Sequence, residues 1–88
     1  MEKYRVLIKP SAKKELLAVS NKKNRQRIVR RIEVLAENPR PPGCEKLSGY
    51  DRYRLRQGRY RIVYEVRDND VLVVVVKIGR RRDIYRAL

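Results

Sequence analysis

The chemistry this sequence is equipped for is that of arginine, concentrated in one run from Arg52 to Tyr64, RYRLRQGRYRIVY. A guanidinium is planar, permanently charged and forked, so it grips a phosphate through two parallel hydrogen bonds. The run reads as two short strands joined across Gln57-Gly58, where the glycine can take the positive φ of a tight hairpin turn. In that register Arg56 faces Arg59, Leu55 faces Tyr60, Arg54 faces Arg61 and Tyr53 faces Ile62. Side chains alternate between faces along a strand. One face then carries Tyr53, Leu55, Tyr60, Ile62 and Tyr64, and the other Arg52, Arg54, Arg56, Arg59 and Arg61. Like charges opposed across a sheet are destabilising. Folding alone does not call for such a face; a polyanionic partner does.

Other chemistries are poorly supplied. The chain holds no histidine, so the lone Cys44 has no imidazole to activate it as a nucleophile. Its ten carboxylates are scattered over loops and helices without ligand spacing, so neither a metal site nor a cofactor is expected. Asp68 and Asp70, in the segment RDND, read as turn formers. A single cysteine makes no internal disulfide and no signal peptide opens the chain, which points to a reducing, cytoplasmic setting. Lys and Arg outnumber Asp and Glu by 24 to 10 over 88 residues, a net charge of +14. A merely solvated surface would carry both signs in similar amounts. Nucleic acid is therefore the first expected partner and an acidic protein segment the second. No long apolar run is present to suggest a membrane.

Positioning the arginines takes one domain, residues 1–88. Residues 3–9 alternate as a half-buried strand, which Pro10 stops. Ser11 is a candidate N-cap for a helix from Ala12 to about Val19, with Ala12, Leu16 and Val19 inward. A longer helix runs from about Lys23 to Glu37 and ends at Asn38-Pro39. Its buried stripe is Ile28, Ile32 and Leu35, with Val29 and Ala36 alongside. Its first turns and outer face hold Lys22, Lys23, Arg25, Arg27, Arg30 and Arg31, set against the helix macrodipole and read as a solvated face. The segment VLVVVVKI, Val71 to Ile78, is a central strand. Keeping Lys77 out of the core turns Leu72, Val74, Val76 and Ile78 inward and sets Lys77 opposite Arg61. Val71, Val73 and Val75 are then left as an outer apolar strip that needs cover. The order β-α-α-β-β-β is an α+β domain, an antiparallel sheet with a helical hairpin on one face.

The segments KLSGYDRYRLRQGRYRIVYEV and VVVVKIGRRRDIYR, with the helical pair before them, resemble the RelE/ParE toxin superfamily of type II toxin–antitoxin systems. The likeness covers essentially the whole chain and favours the RelE-like branch. For that branch it implies a ribosome-dependent, metal-free messenger-RNA endonuclease that inhibits translation. For the ParE-like branch it implies a DNA gyrase inhibitor without nuclease activity. A non-catalytic basic nucleic-acid-binding module is the third reading, although it explains the charge without explaining its concentration.

The resemblance matches Arg52 and Arg54 to two basic strand positions that are lysines in the best-known RelE pattern. It matches Arg61 to an arginine of the next strand, Arg81 to an arginine after the last strand, and Tyr85 to a tyrosine near the C-terminus. The implied nucleophile is the RNA 2′-hydroxyl. Arg54 and Arg61 would take the scissile phosphate, Arg81 the leaving-group side, and Tyr85 would stack on a base or sugar. Arg52, Arg56, Arg59, Lys77, Arg80 and Arg82 would hold flanking RNA. The general base stays open, because arginine does not deprotonate in proteins; Tyr85, Glu65 or a ribosomal group are the choices. The implied partners are a cognate acidic antitoxin, the ribosome with its message, and operator DNA for the toxin–antitoxin complex.

Overall fold

The computed structural model describes residues 3–47 and 51–80. In chain order the elements are β1 (Arg5–Ile8), α1 (Pro10–Leu17), α2 (Lys22–Glu37), β2 (Glu45–Lys46), β3 (Arg52–Gln57), β4 (Tyr60–Arg67), a 3₁₀ turn (Asp68–Asp70) and β5 (Leu72–Arg80). The five strands form one sheet in the order β1-β5-β4-β3-β2. The expected α+β layout holds, with two additions. The two-residue β2 is too short to leave a periodic signal. The β1–β5 pair is parallel, while the other pairs are antiparallel.

Helix α1 begins one residue before the expected cap. Pro10 is its first helical residue, where a fixed φ and a missing N–H cost nothing. Asn21 caps α2 by accepting a hydrogen bond from the Asn24 N–H at 3.1 Å, which supplies one of the helix's orphan donors. Ala12, Leu16 and Val19 with Ile28, Ile32 and Leu35 close over Tyr53, Leu55, Ile62, Tyr64, Val66, Val73, Val75 and Ile78. Val29 does not join this core; it is exposed. Tyr53 and Tyr64 face each other across β3 and β4 and stack with ring centroids 5.8 Å apart. The buried Tyr64 hydroxyl donates to the Pro39 carbonyl at 2.8 Å, so no polar group is stranded there.

Two strand registers differ from expectation. In the hairpin Gln57 pairs Tyr60, Arg56 pairs Arg61, Leu55 pairs Ile62 and Arg54 pairs Val63. The turn residues are therefore Gly58 and Arg59, with Gly58 at φ +58°. Each partner moves by two residues, so every side chain keeps its face; only Arg59 leaves the sheet for the turn.

In β5 the change is larger. Val63 pairs Lys77 but Tyr64 pairs Val75, which leaves Val76 as an extra residue. A bulge of this kind reverses the alternation on one side of itself. Val73 and Val75 therefore join Ile78 in the core. The expected outer strip of Val71, Val73 and Val75 does not exist, because counting back from Lys77 assumed unbroken alternation. The face away from the helices carries Leu72 and Val74 instead. Gly79, not Lys77, stands opposite Arg61.

Candidate nucleic-acid-binding site

On the sheet face turned away from the helices, β3 sets Arg52, Arg54 and Arg56 in a row. Beside them β4 sets Arg61, Val63 and Glu65. The row exists because the opposite positions, Tyr53, Leu55, Ile62 and Tyr64, are claimed by the core. Leu72 and Val74 of β5 pair with Arg5 and Leu7 of β1, so the same face turns apolar toward β1, where Leu7 is exposed.

Each cation is held differently. Arg54 pairs with the Glu45 carboxylate, which β2 places directly opposite it. Arg52 meets Glu65, its partner in the β3–β4 register, at 3.0 Å, and Arg67 shares that carboxylate at 3.3 Å. Arg61 is only 6% exposed. Its Nη1 donates to the carbonyls of Gly58 at 3.3 Å and Tyr60 at 3.1 Å, so the guanidinium braces its own hairpin turn. Arg56 and Arg59 are exposed, and the Arg56 carbonyl accepts from Arg31 Nη2 at 3.3 Å. Arg80 lies opposite Tyr60 beside the turn.

Lys77 is directed elsewhere. Its Nζ lies 2.6 Å from Glu15 of α1, and the other oxygen of that carboxylate accepts from the Ile78 N–H at 3.2 Å. Thus Arg52, Arg54, Arg56 and Arg61 come together on one face. Arg59 and Arg80 flank the hairpin tip, and Lys77 points to the helix layer. Arg81, Arg82 and Tyr85 lie outside the described residues.

Two carboxylates that the sequence reading did not weigh as counterions, Glu45 and Glu65, pre-set the arginine row. Neutralising two guanidinium groups relieves the repulsion that the bare alternation implied. It also fixes the two forks in place for an exchange in which phosphate oxygens replace carboxylate oxygens. Burial pushes the Glu65 carboxyl up, but Arg52 and Arg67 together outweigh burial and hold it below its ordinary value. Glu65 is thereby a weaker proton acceptor than an ordinary glutamate. The turn aspartate Asp68 has a structural role. Arg40 grips it at 3.1 and 2.8 Å, donates through Nε to Tyr53 Oη at 2.8 Å, and shares it with the Tyr4 hydroxyl at 2.7 Å. Arg40 sits in a loop of prolines, and no periodicity marked it. Among the described residues no group of His, Cys, Asp or Glu could hold a metal ion, and no helix is long and apolar enough to cross a membrane.

Comparison with known proteins places this geometry. Residues 6–85 match the family described as ParE toxin of type II toxin-antitoxin system, parDE. Over 59 residues the chain is 37% identical to a Methanocaldococcus jannaschii protein whose name places it with the RelE toxins, an alignment covering 62% of this chain and 66% of that one. The toxin in the intact RelBE toxin–antitoxin complex of Escherichia coli superposes with a TM-score of 0.75 at 28% identity, covering 88% of this chain and 95% of that one. The archaeal RelE–RelB complex of Pyrococcus horikoshii gives 0.77 at 29% identity, covering 92% and 97%. A family match over nearly the full chain, joined to these likenesses in sequence and fold, has one reading: the chain belongs to the RelE/ParE superfamily of type II toxins, and its named relatives lie on the RelE side.

Proposed function

We propose that this protein is the toxin of a toxin–antitoxin pair and acts as a ribosome-dependent, metal-free messenger-RNA endonuclease. The observation that carries the reading is the placement of Arg54 and Arg61 on adjacent strands and one face, flanked by Arg52 and Arg56. In the reaction the RNA 2′-hydroxyl gives its proton to a base and attacks the adjacent phosphorus, closing a 2′,3′-cyclic phosphate. Negative charge builds on the non-bridging oxygens, and the bond to the 5′-oxygen breaks as that oxygen takes up a proton. Arg54 and Arg61 stabilise the charge on those oxygens, and a guanidinium held in place beforehand does so without reorganising. Arg81 serves the leaving group and Tyr85 stacks on the substrate. Arg52, Arg56, Arg59, Arg80 and Arg82 hold flanking backbone; Lys77 contributes to the general positive field.

With Glu65 bound by two arginines, charge stabilisation is the chain's strength and proton transfer its weakness. Such a catalyst depends on having its substrate oriented, which supports a role for the ribosome. The RelE proteins of the E. coli and P. horikoshii structures are in complex with RelB. For this chain the corresponding partner is a cognate acidic antitoxin. It would cover the arginine row together with the exposed Leu7 of β1. The setting of the reading is the cytoplasm, with operator DNA as a ligand of the toxin–antitoxin complex.

Primer extension on a translated message, comparing wild type with Arg54→Gln and Arg61→Ala, tests this. Each substitution is expected to cost about 100-fold or more in cleavage, with circular dichroism reporting the fold. Unchanged cleavage in both variants, or brisk cutting of naked RNA, would sink the reading. A gyrase supercoiling assay run alongside tests the ParE-like alternative. That alternative is favoured by the description of the matching family.

A further inference from the structure

A second concentration of charge lies on the other side of the molecule, and the arginine face does not account for it. From Lys22 to Ile32 helix α2 carries Lys22, Lys23, Arg25, Arg27, Arg30 and Arg31 and no acid. Its acids, Glu33 and Glu37, come only in the last turns. The first turn holds no acidic residue and the last no basic one, which is the reverse of what the helix dipole favours. Two of the cations have structural work. Arg25 donates to the Val19 carbonyl at 2.7 Å, and Arg31 donates to that of Arg56.

Lys23, Arg27 and Arg30 have no such explanation. No acceptor among the described residues holds them, and at spacings of four and three they form one stripe over about 10 Å of helix. With Arg25, Gln26 and Val29, and with Glu33 at one end, they line a shallow depression of about 580 Å³. The opposite side of α2, Ile28, Ile32 and Leu35, packs toward the sheet, so the stripe looks away from Arg54 and Arg61. The molecule is 25 Å through in its shortest dimension, and the screening length at physiological salt is about 8 Å. One phosphate chain on the arginine row therefore leaves this stripe unneutralised.

We infer that the solvent face of α2 is a second polyanion-docking surface, built for the phosphate backbone of duplex RNA. Residues 22–37 contain no aromatic side chain, so the face has no platform for unstacked bases and cannot act as a single-strand reader. Its donors are long, exposed and evenly spaced, which suits sequence-independent contacts to a rigid backbone. An acidic protein segment gains little from exposed ion pairs without an apolar anchor, and the apolar side chains beside the stripe are two separate, partly exposed valines, Val29 and Val34. The choice of RNA over DNA rests on the nuclease reading; the existence of the surface does not.

The test is fluorescence anisotropy with the full chain and a short blunt-ended RNA duplex across a potassium chloride series. It compares wild type, a Lys23→Gln/Arg27→Gln/Arg30→Gln variant, and Arg56→Gln on the sheet face. Each phosphate contact contributes about one to the slope of log affinity against log salt. The triple variant is expected to lose about two to three from that slope, and Arg56→Gln no more than about one. Thermal melting should show the triple variant at least as stable as wild type, since repulsion along the helix is relieved. A slope unchanged in the triple variant overturns the inference. Displacement of the duplex from wild type by polyglutamate of equal charge also overturns it, in favour of an acidic protein partner. Because no cleavage is read, failure here is distinguishable from failure of the nuclease reading.

Discussion

Arg56 and Arg61 stand directly opposite each other, one pair in from the turn of the β3–β4 hairpin. Arg61 folds back onto the carbonyls of Gly58 and Tyr60, while Arg56 stays in solvent. Like charges so placed destabilise a sheet by roughly 0.2–1 kcal/mol. Arg56→Thr is therefore expected to raise the unfolding free energy by up to about 1 kcal/mol, since the contact from Arg31 is to the Arg56 backbone and survives the change. Under the proposed function the same substitution weakens binding of single-stranded RNA. Urea denaturation and RNA titration of one preparation measure both, and a variant that is less stable than wild type contradicts the repulsion argument.

The clamp of Arg40 on Asp68 makes stability depend on pH at the acid end. Hydrogen bonds from Arg40 and then Tyr4 lower the Asp68 carboxyl from its ordinary 3.8 to about 2. The same contact with Asp68 raises the Tyr4 phenol. The folded state thus prefers the ionised carboxylate. Its contribution is complete above the ordinary value and is lost as pH falls through about 2. Melting curves of wild type and Asp68→Asn should differ at neutral pH and converge as the pH is lowered across that window. Curves that stay equally far apart at the lowest pH would show that the clamp owes nothing to charge.

Val71 is the one described non-glycine residue with positive φ, at 51°. It is fixed by hydrogen bonds from its N–H to Asp68 and from the Arg5 N–H to its carbonyl. The left-handed region costs a β-branched residue roughly 1–2 kcal/mol, and asparagine tolerates it far better. Val71→Asn is expected to stabilise the fold by about 1 kcal/mol, after a modest loss of apolar contact from a half-buried side chain. Differential scanning calorimetry measures it, with a lowered melting temperature as the contrary result.

The arginine row was legible from alternation alone. An error of two residues in the hairpin register left every face intact, because the strand period is two. The same counting failed in β5, where Val76 adds one residue and exchanges the faces of everything before it. A run of valines carries no polar residue to reveal where the phase slips. The counterions were hidden for a different reason. Glu45 reaches Arg54 only through a two-residue strand, and Arg40 reaches Asp68 across 28 positions of sequence. Those pairings are products of the fold, and composition could report only that the charges existed.

Glu65 is, with Glu45, one of two described carboxylates set against the arginine row, and its surroundings argue against a role as proton acceptor. Arg52 and Arg67 hold its carboxyl below the ordinary 4.5, so near neutral pH it is ionised but weakly basic. If its work is to orient Arg52, Glu65→Gln keeps a hydrogen-bond acceptor for that guanidinium and loses only the charge. Cleavage of a translated message by this variant is then expected to stay within about 10-fold of wild type, against about 100-fold or more lost in Arg61→Ala. Stability should fall by about 1 kcal/mol, the scale of a partly screened ion pair. The pH profile decides between the two roles. A wild-type rate that rises with pH through the carboxylate range and flattens in Glu65→Gln would identify Glu65 as the base. A profile of the same shape in both proteins leaves proton removal to a group elsewhere, and makes the arginines' charge the chain's main chemical contribution.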